Sequence, residues 1–192
     1  NGETFADSGE INYTIINTDA DAFFNYIDSD SDGDVCTDVI EAGFSDGNSN
    51  GYLGDNTVAV DDNGVVNNAS DGYTIPNSAY ITAGLIIINQ QPIDTEICEL
   101  DTTKITIETN AIDSYQWQVS TDSMNWNDIV DDLVYSNSTT NELTLTAVPL
   151  TYSKFLYRVV LSKNNNTCGL ISDEIVLTVN PLPIANTVTD IE

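Results

Sequence analysis

The chain has 192 residues, 31 Asp and Glu against four Lys and Arg, no His, and a formal charge of −27. Charge of that sign excludes nucleic acid and anionic membrane as direct partners, because every approaching phosphate is repelled, and the lack of His excludes a Cys–His nucleophile or a His-ligated metal. Apolar residues make up 41%, more than an acidic disordered chain carries; the length suits two small domains, and no apolar run approaches the roughly 20 residues that cross a bilayer.

Residues 11–17, I-N-Y-T-I-I-N, alternate apolar and polar and read as an entering strand. Acids then crowd the chain. Residues 1–92 hold sixteen Asp and Glu and no Lys or Arg, a charge of −16. Two unit charges about 6 Å apart repel by roughly 2–3 kcal/mol at an effective dielectric near 20, so this segment needs a counter-ion to be compact.

Residues 28–34 read D-S-D-S-D-G-D. An i, i+2, i+4 series of Asp in a curved loop aims alternate carboxylates at one cation, and Gly33 supplies the positive φ such a turn needs. With Asp30 as first ligand of a twelve-residue loop, Asp32, Asp34, the Cys36 carbonyl, Asp38 and Glu41 follow in the order of an EF-hand. The sixth position is Val35 rather than Gly, and no flanking helices are evident, so the likeness is one of loop chemistry. A second series, D-G-N-S-N-G at residues 46–51, offers Asp46, Asn48 and Asn50; a sparser one upstream offers Asp19, Asp21, Asn25 and Asp28. Oxygen-only ligation by many carboxylates favours several Ca²⁺ ions over Zn²⁺, copper or Mg²⁺. The competing reading is a solvated acidic linker. Against it stand the interleaved Phe23, Phe24, Tyr26, Ile27, Val39, Ile40 and Phe44, expected to form a small core that ions pin together.

Residues 46–75 are rich in Gly, Asn, Asp and Ser, with short β-branched pieces, and read as turns joining short strands. Residues 81–88 are β-prone and end at N-Q-Q-P, where Pro92 forbids a further ladder donor. This divides the chain into an acidic module (1–91), a second module (92–180) and a linker (181–192). In the second module short alternating runs recur at 105–108, 115–119, 143–146, 157–161 and 175–179, without helical periodicity. The expected fold class is therefore all-β: a loop-rich, calcium-stabilised β module followed by an antiparallel sandwich. Trp126, in M-N-W-N-D, is the candidate ligand-contact aromatic. The paired carboxylates of a glycosidase are not legible, because the acids fall at metal spacing. The chain opens on Asn1 without a signal peptide, as expected of an internal piece of a longer polypeptide.

The run from residue 19 to residue 54, centred on D-S-D-S-D-G-D-V-C-T-D-V-I-E-A-G-F, resembles the calcium-binding thrombospondin type 3 repeat of large secreted surface proteins from flavobacteria and their relatives. The flanking V-A-V-D-D-N-G-V-V and D-G-Y-T-I-P (residues 58–76) share that likeness. It implies the ligand set named above; Ala20, Ala22 and Asn25 depart from the family pattern. Residues 92–180 resemble bacterial immunoglobulin-like modules through Y-Q-W-Q-V-S-T-D, S-N-S-T-T-N-E-L-T-L and Y-R-V-V. That resemblance places Trp117 at the buried Trp of such a sandwich and Tyr157 at its tyrosine corner. Val159 and Ile105 or Ile107 then stand in for the usual inter-sheet disulfide. It also implies a Cys98–Cys168 bridge from the start of the module to a late turn, closing a loop worth roughly 4 kcal/mol in the chain-entropy model. Cys36 is then left to an outside partner or as a free thiol.

These resemblances imply a non-enzymatic segment of a secreted, multi-domain bacterial surface adhesin or fibre, exported by type 9 secretion and associated with gliding motility. Calcium rigidifies one module and neighbouring modules of the same chain are its partners. The alternative is an accessory module that binds surface polysaccharide or protein for a secreted enzyme, with Trp126 and exposed Tyr residues as a platform.

Overall fold

The computed structural model describes residues 15–54, 62 and 78–183. The chain forms two compact units, Asn1–Ala83 and Gly84–Glu192. The division falls ahead of the boundary read near residue 91, and the reason lies in one side chain. Asn110 accepts from the Ile87 N–H (3.0 Å), donates to the Leu85 carbonyl (2.7 Å), and its own N–H donates to Ile87 O. Lys163, one of the few bases, adds a bond from Nζ to Leu85 O at 2.9 Å. Residues 85–87 are thereby tied to the second unit. Gly84 is required where this segment enters, since a Cβ there would sit 2.7 Å from both Asn164 O and Asn166 N.

The second unit is a sandwich, antiparallel except for the parallel pairing of β2 with β11, of β1 (Ile88–Gln90), β2 (Thr95–Cys98), β3 (Thr103–Thr106), β4 (Glu108–Thr109), β5 (Ser114–Ser120), β6 (Asn127–Asp128), β7 (Tyr135–Ser136), β8 (Glu142–Leu145), β9 (Leu156–Lys163), β10 (Asn166–Ile171) and β11 (Ile175–Asn180). One sheet runs β2-β11-β9-β5-β6, with β10 also on β9; the other is β3-β8-β7; β1 pairs with β4. This strand order, with Trp117 buried on β5 opposite Val159 of β9, is that of an immunoglobulin-like sandwich. Alternation along β9 and β11 puts Tyr157, Val159 and Leu161, and Ile175, Leu177 and Val179, on one buried face. They pack with Ile105, Ile107, Leu143 and Leu145 in one core. Aliphatic side chains thus occupy the place of an inter-sheet disulfide, as expected. Inside this core the Trp117 indole N–H donates to Thr140 O at 2.8 Å, and the Tyr157 hydroxyl pairs with that of Tyr135 at 3.1 Å.

The expected Cys98–Cys168 bridge does not form. Cys98 is a free, exposed thiol, whereas Cys168 and Cys36 are each disulfide-bonded. Strand register explains this: Cys98 stands opposite Asn180 at the C-terminal end of β11, while Cys168 lies on β10, between Asn166 and Leu170, which stand opposite Lys163 and Leu161. The two positions are at opposite ends of the sheet, far beyond the ~4 Å between Cβ atoms that a disulfide tolerates.

In the first unit the described residues form loops, a four-residue helix α1 (Asp38–Glu41) and a 3₁₀ turn at Ala79–Ile81. The β-prone run at 81–88 is therefore not one strand; only Ile88 joins a sheet. Of the expected strand at 11–17, residues 15–17 are irregular and the rest lies outside the described residues. The flanking motifs at 58–76, apart from exposed Asp62, and the linker from 184 onward also lie outside them. Most of the expected small core is turned outward: Phe23, Phe24, Tyr26, Ile27 and Ile40 are exposed, Val39 and Phe44 are half-buried, and the buried apolar side chains among the described residues are Cys36, Ala42 and Leu53. What is buried instead is polar: Ser31, Asp32, Asp34 and Glu41.

Candidate metal centre

Residues 28–36 curl because Asp28, Asp30 and Asp34 accept from backbone N–H groups further along the chain. Asp28 Oδ1 accepts from the Asp30 N–H (3.0 Å); Asp30 takes Asp34 N–H on Oδ1 (3.2 Å) and Val35 N–H on Oδ2 (3.0 Å); Asp34 Oδ1 accepts from the Cys36 N–H (3.0 Å). Gly33 adopts φ 72° and Val35 φ 76°. The loop thus makes the left-handed turn of an EF-hand at its sixth position, with a β-branched residue where Gly costs nothing. Val35 is 82% exposed, so nothing packs to reward it.

This curl brings Asp30, Asp32 and Asp34 together, with one carboxylate oxygen of each lying within 4.8 Å of the others. Glu41 reaches the same charge field from the end of α1, a helix that loop reading alone does not show. Its side chain is 0% exposed. Both carboxylate oxygens of Glu41 are buried without any hydrogen-bond partner; both of Asp32 are buried with no donor at hydrogen-bond geometry, the Thr82 and Asp34 N–H groups lying near enough only to offset part of the effect of burial. Thr37, the N-cap of α1, makes no capping bond, and its hydroxyl is likewise buried and unpartnered. Burial, then the charges of Asp34, Asp32, Asp30 and Asp38, push the Glu41 carboxyl up to about 8. Burial followed by Asp34 and Asp30 raises Asp32 to about 6, and burial also raises Asp30.

A buried ionised carboxylate without a donor costs several kcal/mol, so native proteins pair it or give it a metal. The donor set here fits a hard divalent cation: all oxygen, mostly anionic, in a unit without Lys or Arg. Asp30, Asp32, Asp34 and Glu41 would hold it, and the Cys36 carbonyl stands at the sequence position that completes such a loop. The ion would supply positive charge alone.

The other expected ligands divide. Asp19, Asp21 and Asp28 form a second cluster, again with carboxylate oxygens within 4.8 Å. The two clusters meet at Gly33, where a Cβ would lie 3.0 Å from Asp19 Oδ2. Asn25 does not join them: its amide is engaged with the Thr18 N–H (2.9 Å) and hydroxyl (2.7 Å). Asp38 is turned onto Ser31, accepting from its N–H (2.7 Å) and its hydroxyl (2.6 Å). The series at 46–51 forms a separate turn. Burial works against the charge of Asp46, yet backbone N–H groups of Gly51, Asn50, Asn48 and Ser49 together hold its carboxyl below the ordinary range. That loop satisfies its acid with protein donors (Gly51 at 2.8 Å, Asn50 at 3.1 Å).

In the second unit the Arg158 guanidinium sits 4.1 Å from the Trp126 ring centroid, so one indole face is covered by a cation–π contact. Among the described residues the strongest aromatic surface is instead in the first unit, at Tyr26 and Tyr52, which bracket the acidic loops. Their exposure carries no periodic signal in the sequence.

The model of a family described as "Domain of unknown function (DUF8696)" matches residues 89–181. No curated protein matches the chain. Among solved structures, tandem Ig repeats of Dlar align at 16% identity and TM-score 0.43 over 52% of this chain and 50% of that one. The IG27 protein domain aligns at 16% identity and TM-score 0.39 over 51% of this chain and 100% of its own. Sidekick-1 immunoglobulin domains 1–5 align at 14% identity and TM-score 0.40, covering 50% of this chain and 20% of theirs. The chain thus spans half the length of the Dlar repeats.

Proposed function

We propose that the first unit is a calcium-binding module and the sandwich a structural or binding bead beside it, together a non-enzymatic segment of a secreted, multi-domain bacterial surface adhesin. One observation carries the metal reading: the Glu41 carboxylate is fully buried with no donor, beside Asp32, whose two buried oxygens have none at hydrogen-bond geometry. Calcium satisfies them, and because the carboxylates repel one another without it, metal affinity becomes folding free energy. Extracellular calcium near millimolar fills sites of modest affinity. Two disulfide-bonded cysteines fit an oxidising compartment. The resemblance to thrombospondin type 3 repeats supports the surface-adhesin role, with neighbouring modules of the same chain as partners.

Calorimetric titration of the chelator-stripped chain with CaCl₂ tests this. Saturable binding is expected, weakened at least tenfold in Asp32→Asn and in Glu41→Ala, with Mg²⁺ a poor substitute. Absence of binding up to about 5 mM, the weak end of extracellular sites, contradicts it.

A further inference from the structure

We infer that a groove beside the acidic loops of the first unit is a binding site for a neutral saccharide. The groove has a volume of about 590 Å³ and is lined by Tyr26, Ile27, Tyr52 and Leu53 on its apolar side and by Asp28 and Asp38 on its polar side. That volume is of small-ligand size, and the mixture of aromatic walls with few fixed polar groups is the usual composition of a ligand site.

The two tyrosines carry the argument. Tyr26 is 73% and Tyr52 65% exposed. A tyrosine ordinarily buries the body of its ring and leaves only the hydroxyl wet; here the rings themselves stand open at the rim of a concavity. Tyr26 is held by stacking on Phe24, with ring centroids 6.2 Å apart and planes 9° from parallel. The polar side is equally fixed before any ligand arrives. Ser31 holds the Asp38 carboxylate through two bonds, and the Asp30 N–H holds Asp28.

A sugar ring matches both sides at once, with an apolar C–H face for the tyrosines and hydroxyl donors for the carboxylates. Anionic glycans meet a segment whose sixteen acids and lack of Lys or Arg leave it strongly negative even with a Ca²⁺ ion in each carboxylate cluster, and are repelled. A wholly apolar ligand would strip water from two carboxylates without donating to them, at a net cost. A basic peptide matches the charge, but any of the acidic loops would serve it, and two presented ring faces would be unnecessary. None of Asp30, Asp32, Asp34 and Glu41 lines the groove, so the site is distinct from that metal centre, although Asp28 is shared with the cluster of Asp19 and Asp21.

The full chain in calcium is titrated calorimetrically with cellohexaose, mannohexaose and chitohexaose, with hexagalacturonate as the anionic control and hexa-arginine as the basic one. Binding of at least one neutral hexasaccharide is expected, weakened about tenfold or more in Tyr26→Ala and in Tyr52→Ala and unchanged in Trp126→Ala, with none to hexagalacturonate. Both tyrosines are surface residues, and an unchanged melting curve verifies that each variant is folded. No binding by any neutral hexasaccharide, or binding indifferent to both tyrosines, overturns the inference. So does hexa-arginine binding that alone depends on the tyrosines, which assigns the groove to basic peptides. None of these outcomes touches the calcium titration, which is read separately.

Discussion

The two units of this chain solve the same problem with opposite materials. In the sandwich, alternating strands deliver Trp117, Tyr157, Val159, Leu143 and Leu177 to one dry interior, and its buried polar groups find partners, as when the Trp117 indole meets Thr140 O. In the first unit the described interior is Ser31, Asp32, Asp34 and Glu41 around a few small apolar side chains, and several carboxylate oxygens there have no partner. One unit is held by what its side chains exclude from water; the other, on the proposed reading, is held by a cation that its carboxylates lack. Secondary structure follows: strands need a two-residue period, whereas carboxylates converging on one point need a curled loop whose backbone bonds to its own acids.

The largest way to break the comparison lies in the sandwich. Trp117→Ala should cost about 3–5 kcal/mol, lowering its melting temperature equally in calcium and in chelator; a calcium-dependent loss would mean that the two interiors are not independent in kind.

Next comes the pH response of the metal-free chain. Glu41 and Asp32 titrate higher in the folded chain than in the unfolded one, near 8 and 6, so the folded state binds more protons over that interval. The contribution of these two groups to the stability of the metal-free first unit is therefore greatest below the ordinary carboxylate range and is lost as pH rises toward 8, whereas the lowered Asp46 contributes stability that is lost only in acid. Calcium reverses the trend, since it competes with protons for the same oxygens. Melting curves at pH 5 and pH 8, with and without chelator, check both signs. In chelator, Glu41→Gln should flatten the slope.

A smaller effect sits at Val35. Its φ of 76° and its exposure mean that Val35→Gly removes strain and no packing; a gain of about 1 kcal/mol is expected in thermal melting. The smallest concerns thiols. Alkylation without reductant should label Cys98 alone and leave stability unchanged, because that side chain is the free and exposed one; mass spectrometry of the tryptic peptides reads it.

Much of this contrast is legible in the residues. The spacing of Asp30, Asp32 and Asp34 anticipates their convergence, because alternate positions of one short curled loop face one point. The cores of β5, β8, β9 and β11 are announced by alternation. Other features depend on contacts distant in sequence. The run at 81–88 has strand propensity throughout, but Asn110 and Lys163 take the backbone groups of Leu85 and Ile87 before a ladder can form. The two-residue strands β6 and β7 are too short to show a period. Cysteine connectivity follows from strand register rather than composition, and Cys98 and Cys168 fall at opposite ends of one sheet. Asn25 and Asp38 have the right chemistry for ligands, yet Thr18 and Ser31 engage them first. The exposure of Phe24, Tyr26 and Tyr52 escapes notice because apolar residues interleaved with acids look like a core until the fold turns them outward.

Scanning calorimetry of the full chain in about 2 mM CaCl₂ and again in excess chelator tests the central claim most directly, with tryptophan fluorescence marking the sandwich through Trp117. The account predicts that the transition outside the sandwich moves upward by at least about 10 °C in calcium while the tryptophan-reported one stays in place. Identical thermograms in calcium and chelator would contradict it.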